Sequence, residues 1–389
     1  MKSSPARPPS SPPVIERFLD VRALLKRKSH FLFGPRQTGK TFLVHRTLKE
    51  ARFFDLLDSS LYLALSQNPG RLAEEMDERT RLVVIDEIQR LPVLLNEVHR
   101  LIERRGIRFL LTGSSASKLR RGGVNLLGGR ARTRTLHPLT SAELGSHFDL
   151  ERAVERGTLP SVYFSDDPAA DLASYSSTYL QQEVVAEGLT RNAPAFSRFL
   201  HVAGLCNGTV VNFTKVANDA QVKRTTVYQY FEVLRDTLII HELPGWRLSR
   251  RRKPLSSSKY YFFDVGVAGA LQGRPFKPRS PEFGQGLETF VMHELLSWRD
   301  YVSGEPLCHW RSTSGFEVDF LIGDHTALEI KAGASVSGAD LRSLRALADE
   351  KRLKRFICAC LEKRPRTVDG ISILPVTEFL ERLWAGEYR

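Results

Sequence analysis

Cysteine is scarce in this chain and poorly placed for cross-linking or zinc. Four occur in 389 residues: Cys206, Cys308, Cys358 and Cys360. None has zinc-ligand spacing, and Cys358-Ala359-Cys360 lies in an apolar, strand-like run. A disulfide scaffold is excluded, and structural thiols in a reducing cytoplasm are expected. Long apolar runs are also missing, so no membrane span and no membrane partner are expected. Residues 1–13, rich in Pro and Ser, lack the apolar core of a secretory signal and read as a flexible tail. No internal repeat recurs, which argues against a solenoid. Acid is in deficit: 44 Asp and Glu stand against 57 Lys and Arg, a formal charge of +13. That balance favours a polyanionic partner such as DNA or RNA, with a generic basic surface as the alternative. The hydrophobic content of 42% is ordinary for a globular chain. The length suggests two or three domains.

Against these absences stands one strong presence. Gly34-Pro35-Arg36-Gln37-Thr38-Gly39-Lys40-Thr41 fits the phosphate-loop pattern G-x-x-x-x-G-K-[ST]. An apolar run, His30 to Phe33, precedes it, and a helical run from Thr41 to Leu48 follows. Strand, glycine loop and helix are the context in which backbone amides and a helix N-terminus receive phosphate oxygens. ATP and Mg²⁺ are the expected cofactors. Lys40 would reach the β- and γ-phosphates, and Thr41 would hold the metal.

Farther along, Arg81-Leu82-Val83-Val84-Ile85 is an apolar strand that ends in Asp86-Glu87. Asp86 is expected to bind Mg²⁺, and Glu87 to polarise the attacking water. The next strand ends in Thr112-Gly113-Ser114-Ser115. Ser114, with Thr112 behind it, is the candidate that orients that water; a helix-capping turn is the alternative. Arg130, beside Arg132 and Arg134, is the candidate arginine finger, acting on a neighbouring subunit's γ-phosphate in a homo-oligomer.

Together these stretches resemble the AAA+ superfamily of P-loop ATPases. They most resemble a prokaryotic family in which the ATPase is fused to a C-terminal domain of unknown function. Phe33 to Thr41, Ile85-Asp86-Glu87-Ile88-Gln89, Leu111 to Ser115, Gly129-Arg130 and Pro138 to Glu143 carry the resemblance. It implies a hydrolysing ATPase, with a homo-oligomer as the expected assembly. No second sensor arginine is assignable.

The middle of the chain reads as a helix-turn-helix. A helix is expected at Asn212–Ala220, a turn at Gln221–Lys223, a second helix at Arg224–Asp236 and a wing strand at Leu238–Leu243. This resembles a winged helix. Lys223, Arg224, Thr225, Thr226 and Gln229 fall where a recognition helix meets a major groove. Arg247 and the run Arg250–Lys253, Arg251 within it, would add phosphate contacts. A docking unit with a solvated basic linker is the alternative.

From Lys259 onward strands and helices alternate again. Val318-Asp319 is followed by Glu329-Ile330-Lys331, with Glu288 in an earlier helix. Glu329 and Lys331 leave one face of their strand. The order resembles the PD-(D/E)xK nuclease superfamily, with Val rather than Pro before Asp319. The resemblance implies a metal-dependent phosphodiester site at Glu288, Asp319, Glu329 and Lys331. A cross-strand ion network in a non-cutting domain is the alternative.

The fold expected is therefore α/β and multidomain. A tail spans 1–13, a parallel-sheet ATPase domain 14–140, a helical lid 141–195, a winged helix 196–250 and a restriction-endonuclease-like domain 251–389. Three functions remain open: an ATPase acting on DNA, a nucleotide-gated scaffold, and an ATP-controlled nuclease.

Overall fold

Five short runs in the first third of the chain pair side by side: β1 (Ser29–Phe33), β2 (Arg52–Asp55), β3 (Leu82–Asp86), β4 (Arg108–Gly113) and β5 (Ala131–Thr135). All pairings are parallel, in the order β2-β3-β4-β1-β5. The structure, a computed structural model, describes residues 13–115, 119, 127–179, 192–248, 255 and 257–389. Strands β1, β3 and β4 are buried almost throughout, which their near-continuous apolar sequence requires once helices cover both faces. The helix Leu94–Arg105 supplies one cover, burying Leu94, Leu95, Val98 and Leu101 on one stripe. The edge strand β5, Ala-Arg-Thr-Arg-Thr, has no fully buried residue.

One expectation fails before the first strand. A helix over Val14–Arg27 is expected, but the helix is only Val21–Arg27. Asp20 caps it by accepting a hydrogen bond from Ala23 N–H, and so starts it late. Residues 13–17 are non-helical and lie beside the phosphate loop.

The middle module places the helices Ala193–Leu205, Phe213–Ala220 and Arg224–Asp236 against a three-stranded antiparallel sheet. Its strands are β6 (Thr209–Val210), β7 (Ile240–Leu243) and β8 (Lys259–Phe262), in the order β6-β8-β7. The turn between the second and third helices uses Gln221 at φ 55°. Lys259–Phe262 therefore belongs to this sheet rather than opening the C-terminal module. A four-residue strand, Lys-Tyr-Tyr-Phe, carries no mark of which sheet it joins.

The last module is a six-stranded mixed sheet behind the helix Phe283–Trp298. Its strands are β9 (Leu307–Arg311), β10 (Glu317–Ile322), β11 (Thr326–Lys331), β12 (Arg355–Cys360), β13 (Arg366–Val368) and β14 (Ile371–Pro375), in the order β13-β14-β12-β11-β10-β9. The chain just after β7 is hydrogen-bonded to β9, and of the linker expected at Arg250–Ser258 only Leu255, Ser257 and Ser258 are among the described residues. Trp246 N–H donates to His309 O at 2.7 Å, His309 N–H to Pro244 O at 3.0 Å, and Leu255 N–H to Arg311 O at 2.9 Å. One apolar core runs from Leu139 through Phe199, Phe231 and Phe290 to Tyr388.

Candidate functional site

Strand order places the chemistry. Because β4 lies between β1 and β3, the phosphate loop after β1, the acids ending β3 and the hydroxyls ending β4 all meet at one end of the sheet. Gly39 caps the helix Lys40–Thr47 at φ 90°, a left-handed conformation that glycine adopts without a Cβ clash. The buried Lys40 Nζ donates to Gly34 O at 2.6 Å and Pro35 O at 2.9 Å, and Thr38 Oγ1 donates to Pro35 O at 2.9 Å. Thr41 Oγ1 donates to Asp86 Oδ2 at 2.8 Å, and Thr112 Oγ1 donates to Asp86 Oδ1. Hydroxyl and carboxylate thus present hard oxygen donors at one point, which suits Mg²⁺ bound mainly by phosphates and water.

Glu87 takes a left-handed backbone at φ 61°, uncommon for a residue with a side chain. Its carboxylate accepts from Gln89 Nε2, which also donates to Ser114 Oγ at 3.2 Å. Burial raises the Glu87 carboxyl above its usual range; Lys40 opposes the rise and Asp86 adds to it. Ser114 therefore reaches Glu87 through Gln89, while Thr112, like Thr41, touches Asp86 directly. Gln89 carried no role in the sequence reading. Its place is tight, for a Cβ on Gly113 would stand 2.2 Å from Gln89 Oε1.

Arg17 was also missed. Its Nη1 donates to Thr38 O at 2.7 Å, its Nη2 to His137 O at 2.6 Å, and its Nε pairs with Glu143 Oε1 at 3.0 Å. An arginine outside any motif gives no sequence signal. Beside it a cleft of about 360 Å³, lined by Val14, Ile15, Phe42, Leu139, Pro160 and Phe164, opens at Gly39. Arg130 is not brought to this site. It is paired with Glu103, and it precedes Ala131, which is level with Ser29 at the opposite end of the sheet.

On the helix Arg224–Asp236, Arg224, Thr225 and Gln229 are exposed and Thr226 is half-buried, with exposed Lys223 at the N-cap. Arg224 lies over the Tyr228 ring, 5.5 Å from its centroid. Arg251 and its neighbouring basic run lie outside the described residues.

In the C-terminal sheet, Asp319 adjoins Phe320 and Glu329 adjoins Leu328, the last paired positions of β10 and β11. Ile330 N–H donates to Asp319 Oδ2 at 2.8 Å, and Lys331 Nζ to Glu329 Oε1 at 2.6 Å. Three residues that the sequence reading left out complete the cluster: Lys259, Tyr261 and Glu317. Lys259 Nζ lies 3.2 Å from Glu288 Oε1, 2.7 Å from Glu317 Oε1 and 3.8 Å from Asp319 Oδ1. Tyr261 OH donates to Glu288 Oε1 at 2.5 Å. Burial, reinforced by Glu329 and Glu288, holds the Asp319 carboxyl well above the ordinary range. Among the described residues, no three His, Cys, Asp or Glu side chains are arranged to hold a metal ion. As arranged, Glu288 Oε1, Asp319 Oδ2 and Glu329 Oε1 each accept a hydrogen bond from another group of this chain.

Comparison with known proteins divides the chain in three. Residues 26–145 match the family model of an AAA domain. Residues 147–277 match a domain of unknown function, DUF8612, and residues 283–379 match another, DUF4143. No curated protein matches the chain. Among solved structures, it is similar to a signal transduction ATPase with numerous domains that carries a tetratricopeptide repeat sensor, from Pyrococcus horikoshii. The identity is 15%, over 74% of this chain and 46% of that one, with a TM-score of 0.24. It is also similar to the DNA clamp loader delta protein of Bacillus subtilis, at 13% identity over 56% of this chain and 88% of that one, with a TM-score of 0.23. The chain thus spans less than half of the first of these, and neither score bears on how the modules are arranged. The family match and the parallel sheet agree on an AAA-type P-loop domain. No helix among the described residues is long and apolar enough to cross a membrane.

Proposed function

We propose that the chain hydrolyses ATP at the sheet end formed by Lys40, Thr41, Asp86 and Glu87, and uses the cycle to act on DNA through its middle module. The observation that carries the hydrolytic part is Glu87, half-buried at the mouth of β3 and held through Gln89 to Ser114. The loop amides receive phosphate oxygens, and Lys40 exchanges its two loop carbonyls for them. Thr41 and Asp86 hold Mg²⁺, which supplies charge neutralisation on the phosphates. Glu87 takes the proton of the attacking water, and Ser114 helps to orient that water. The apolar cleft beside Gly39 receives the base. Purified chain should release phosphate from ATP, and chelation of Mg²⁺ should stop it. The absence of release with Mg²⁺ or Mn²⁺ would remove the hydrolytic reading.

The middle module supports a winged-helix reading through its order of helix, strand, two helices and two strands. In the domain scheme we propose, residues 14–140 form the ATPase and 141–195 the lid. The winged helix extends past β8 (Lys259–Phe262), and the nuclease-like α/β unit follows. Exposure of Lys223, Arg224, Thr225 and Gln229 favours duplex contact. Replacing Lys223 and Arg224 together with Ala should weaken duplex binding and reduce the slope of log affinity against log salt by about 2. Unchanged affinity and slope would instead favour a docking unit.

A further inference from the structure

Four carboxylates meet in the C-terminal module: Glu288 from the helix Phe283–Trp298, Glu317 and Asp319 from β10, and Glu329 from β11. Three cationic side chains of the same chain face them. Lys331 holds Glu329, Arg311 lies 3.4 Å from Glu317, and Lys259 stands among Glu288, Glu317 and Asp319. Lys259 is the deepest of the three cations, with a side chain only 3% exposed. It comes from another sheet: its backbone is paired with Val210 of β6 and Leu243 of β7.

We infer that Lys259 is the resident cation of this cluster, filling the place a divalent metal would need and fastening the small sheet of the middle module to the six-stranded sheet. Other donors of the chain hold three of the acid oxygens. Tyr261 OH holds Glu288 Oε1, Ile330 N–H holds Asp319 Oδ2, and Lys331 holds Glu329 Oε1. Among the described residues of this cluster, Glu329 Oε2 is a carboxylate oxygen buried without a hydrogen-bond partner. A divalent ion here would lie against an ammonium and would have to strip several of these donors. An acid cluster that its own chain nearly neutralises has little electrostatic demand for a metal. In this arrangement the module ties domains together and does not cleave phosphodiesters. Motion of β8 relative to the six-stranded sheet is what would withdraw the ammonium and uncover the acids. This inference is independent of the nucleotide and DNA readings.

Mn²⁺ titration followed by electron paramagnetic resonance tests it. The full chain is used without nucleotide and carries Asp86→Asn, so that the ATPase site does not contribute. The parent chain should bind no Mn²⁺ that depends on Glu329. Adding Lys259→Met should create one Mn²⁺ site, which a further Glu329→Gln removes. MnCl₂ should also raise the melting temperature of the Lys259→Met chain and leave that of the parent unchanged. A Glu329-dependent Mn²⁺ site in the parent, or no gained site in a folded Lys259→Met chain, overturns the inference. If Lys259→Met does not fold, comparing the parent with Glu329→Gln still decides: equal Mn²⁺ binding supports the inference, and unequal binding overturns it.

Discussion

Replacing Glu87 with Gln should lower ATP turnover by about 10²–10⁴-fold and leave ATP binding intact. The side chain keeps its size, and the loop that grips the phosphates is built from other residues: Gly34, Gly39, Lys40 and Thr41. Lys40→Ala should do the opposite and lose the nucleotide itself. Two assays on two variants, phosphate release and nucleotide affinity, therefore separate the base from the cradle. Turnover by Glu87→Gln at the wild-type rate would show that another group accepts the proton. The pH profile adds a second check. A base must be deprotonated to work, and burial raises the Glu87 carboxyl. The acid limb of turnover should therefore lie above the range of an ordinary glutamate. Activity should fall as pH drops through the raised value. The residual activity of Glu87→Gln should lack that limb.

Glu294→Ala should produce the largest loss of stability. This fully buried carboxyl group on the helix Phe283–Trp298 accepts from Ser141 N–H at 2.7 Å, Ser141 Oγ at 2.8 Å and Trp384 Nε1 at 2.6 Å. It thereby joins the chain just past the ATPase sheet to the C-terminal helix Val376–Trp384. Its removal leaves the buried Ser141 donors and the half-buried Trp384 Nε1 without this partner and opens a cavity, at a cost of roughly 3–5 kcal/mol near pH 5. Burial pushes the Glu294 carboxyl up to about 7. The folded state then holds this proton at pH values where the unfolded chain has released it. Stability from this group is complete below the ordinary glutamate range and falls as pH rises toward 7, by roughly 3 kcal/mol in all. The destabilisation in Glu294→Ala should accordingly shrink above pH 7. Urea denaturation at about pH 5 and about pH 8 measures both quantities. An equal loss at the two pH values would mean that Glu294 does not titrate this way.

How far the sequence carried depended on whether the determinant was local. The phosphate loop, Asp86-Glu87 and the strand ends at Thr112–Ser114 are contiguous runs whose spacing fixes their geometry. Glu329 and Lys331 likewise share a face because a strand alternates. Residues that work across the fold gave no such signal. Arg17 meets the loop from 21 positions upstream, and Glu294 reaches Ser141 across 153. Lys259 reads as an ordinary strand residue until β8 is seen beside the acids. Tyr261 was missed for the same reason. The direct Gln89–Glu87 contact, by contrast, lay inside a quoted motif. Its signal was the short separation together with the left-handed turn at Glu87, which single-sequence pattern reading does not expose.

The strap from Pro244 to Trp246 gives the two domains of unknown function a shared fate. It leaves β7 and hydrogen-bonds directly to β9. Trp246 is buried in the same apolar cluster as Trp310 and Leu341. A family boundary falls between residues 277 and 283, yet the six-stranded sheet takes hydrogen-bonding partners from before it. The seam in the sequence is therefore not a seam in free energy. The pair should melt as one cooperative unit, and evolution could exchange neither half without recutting the edge of the other.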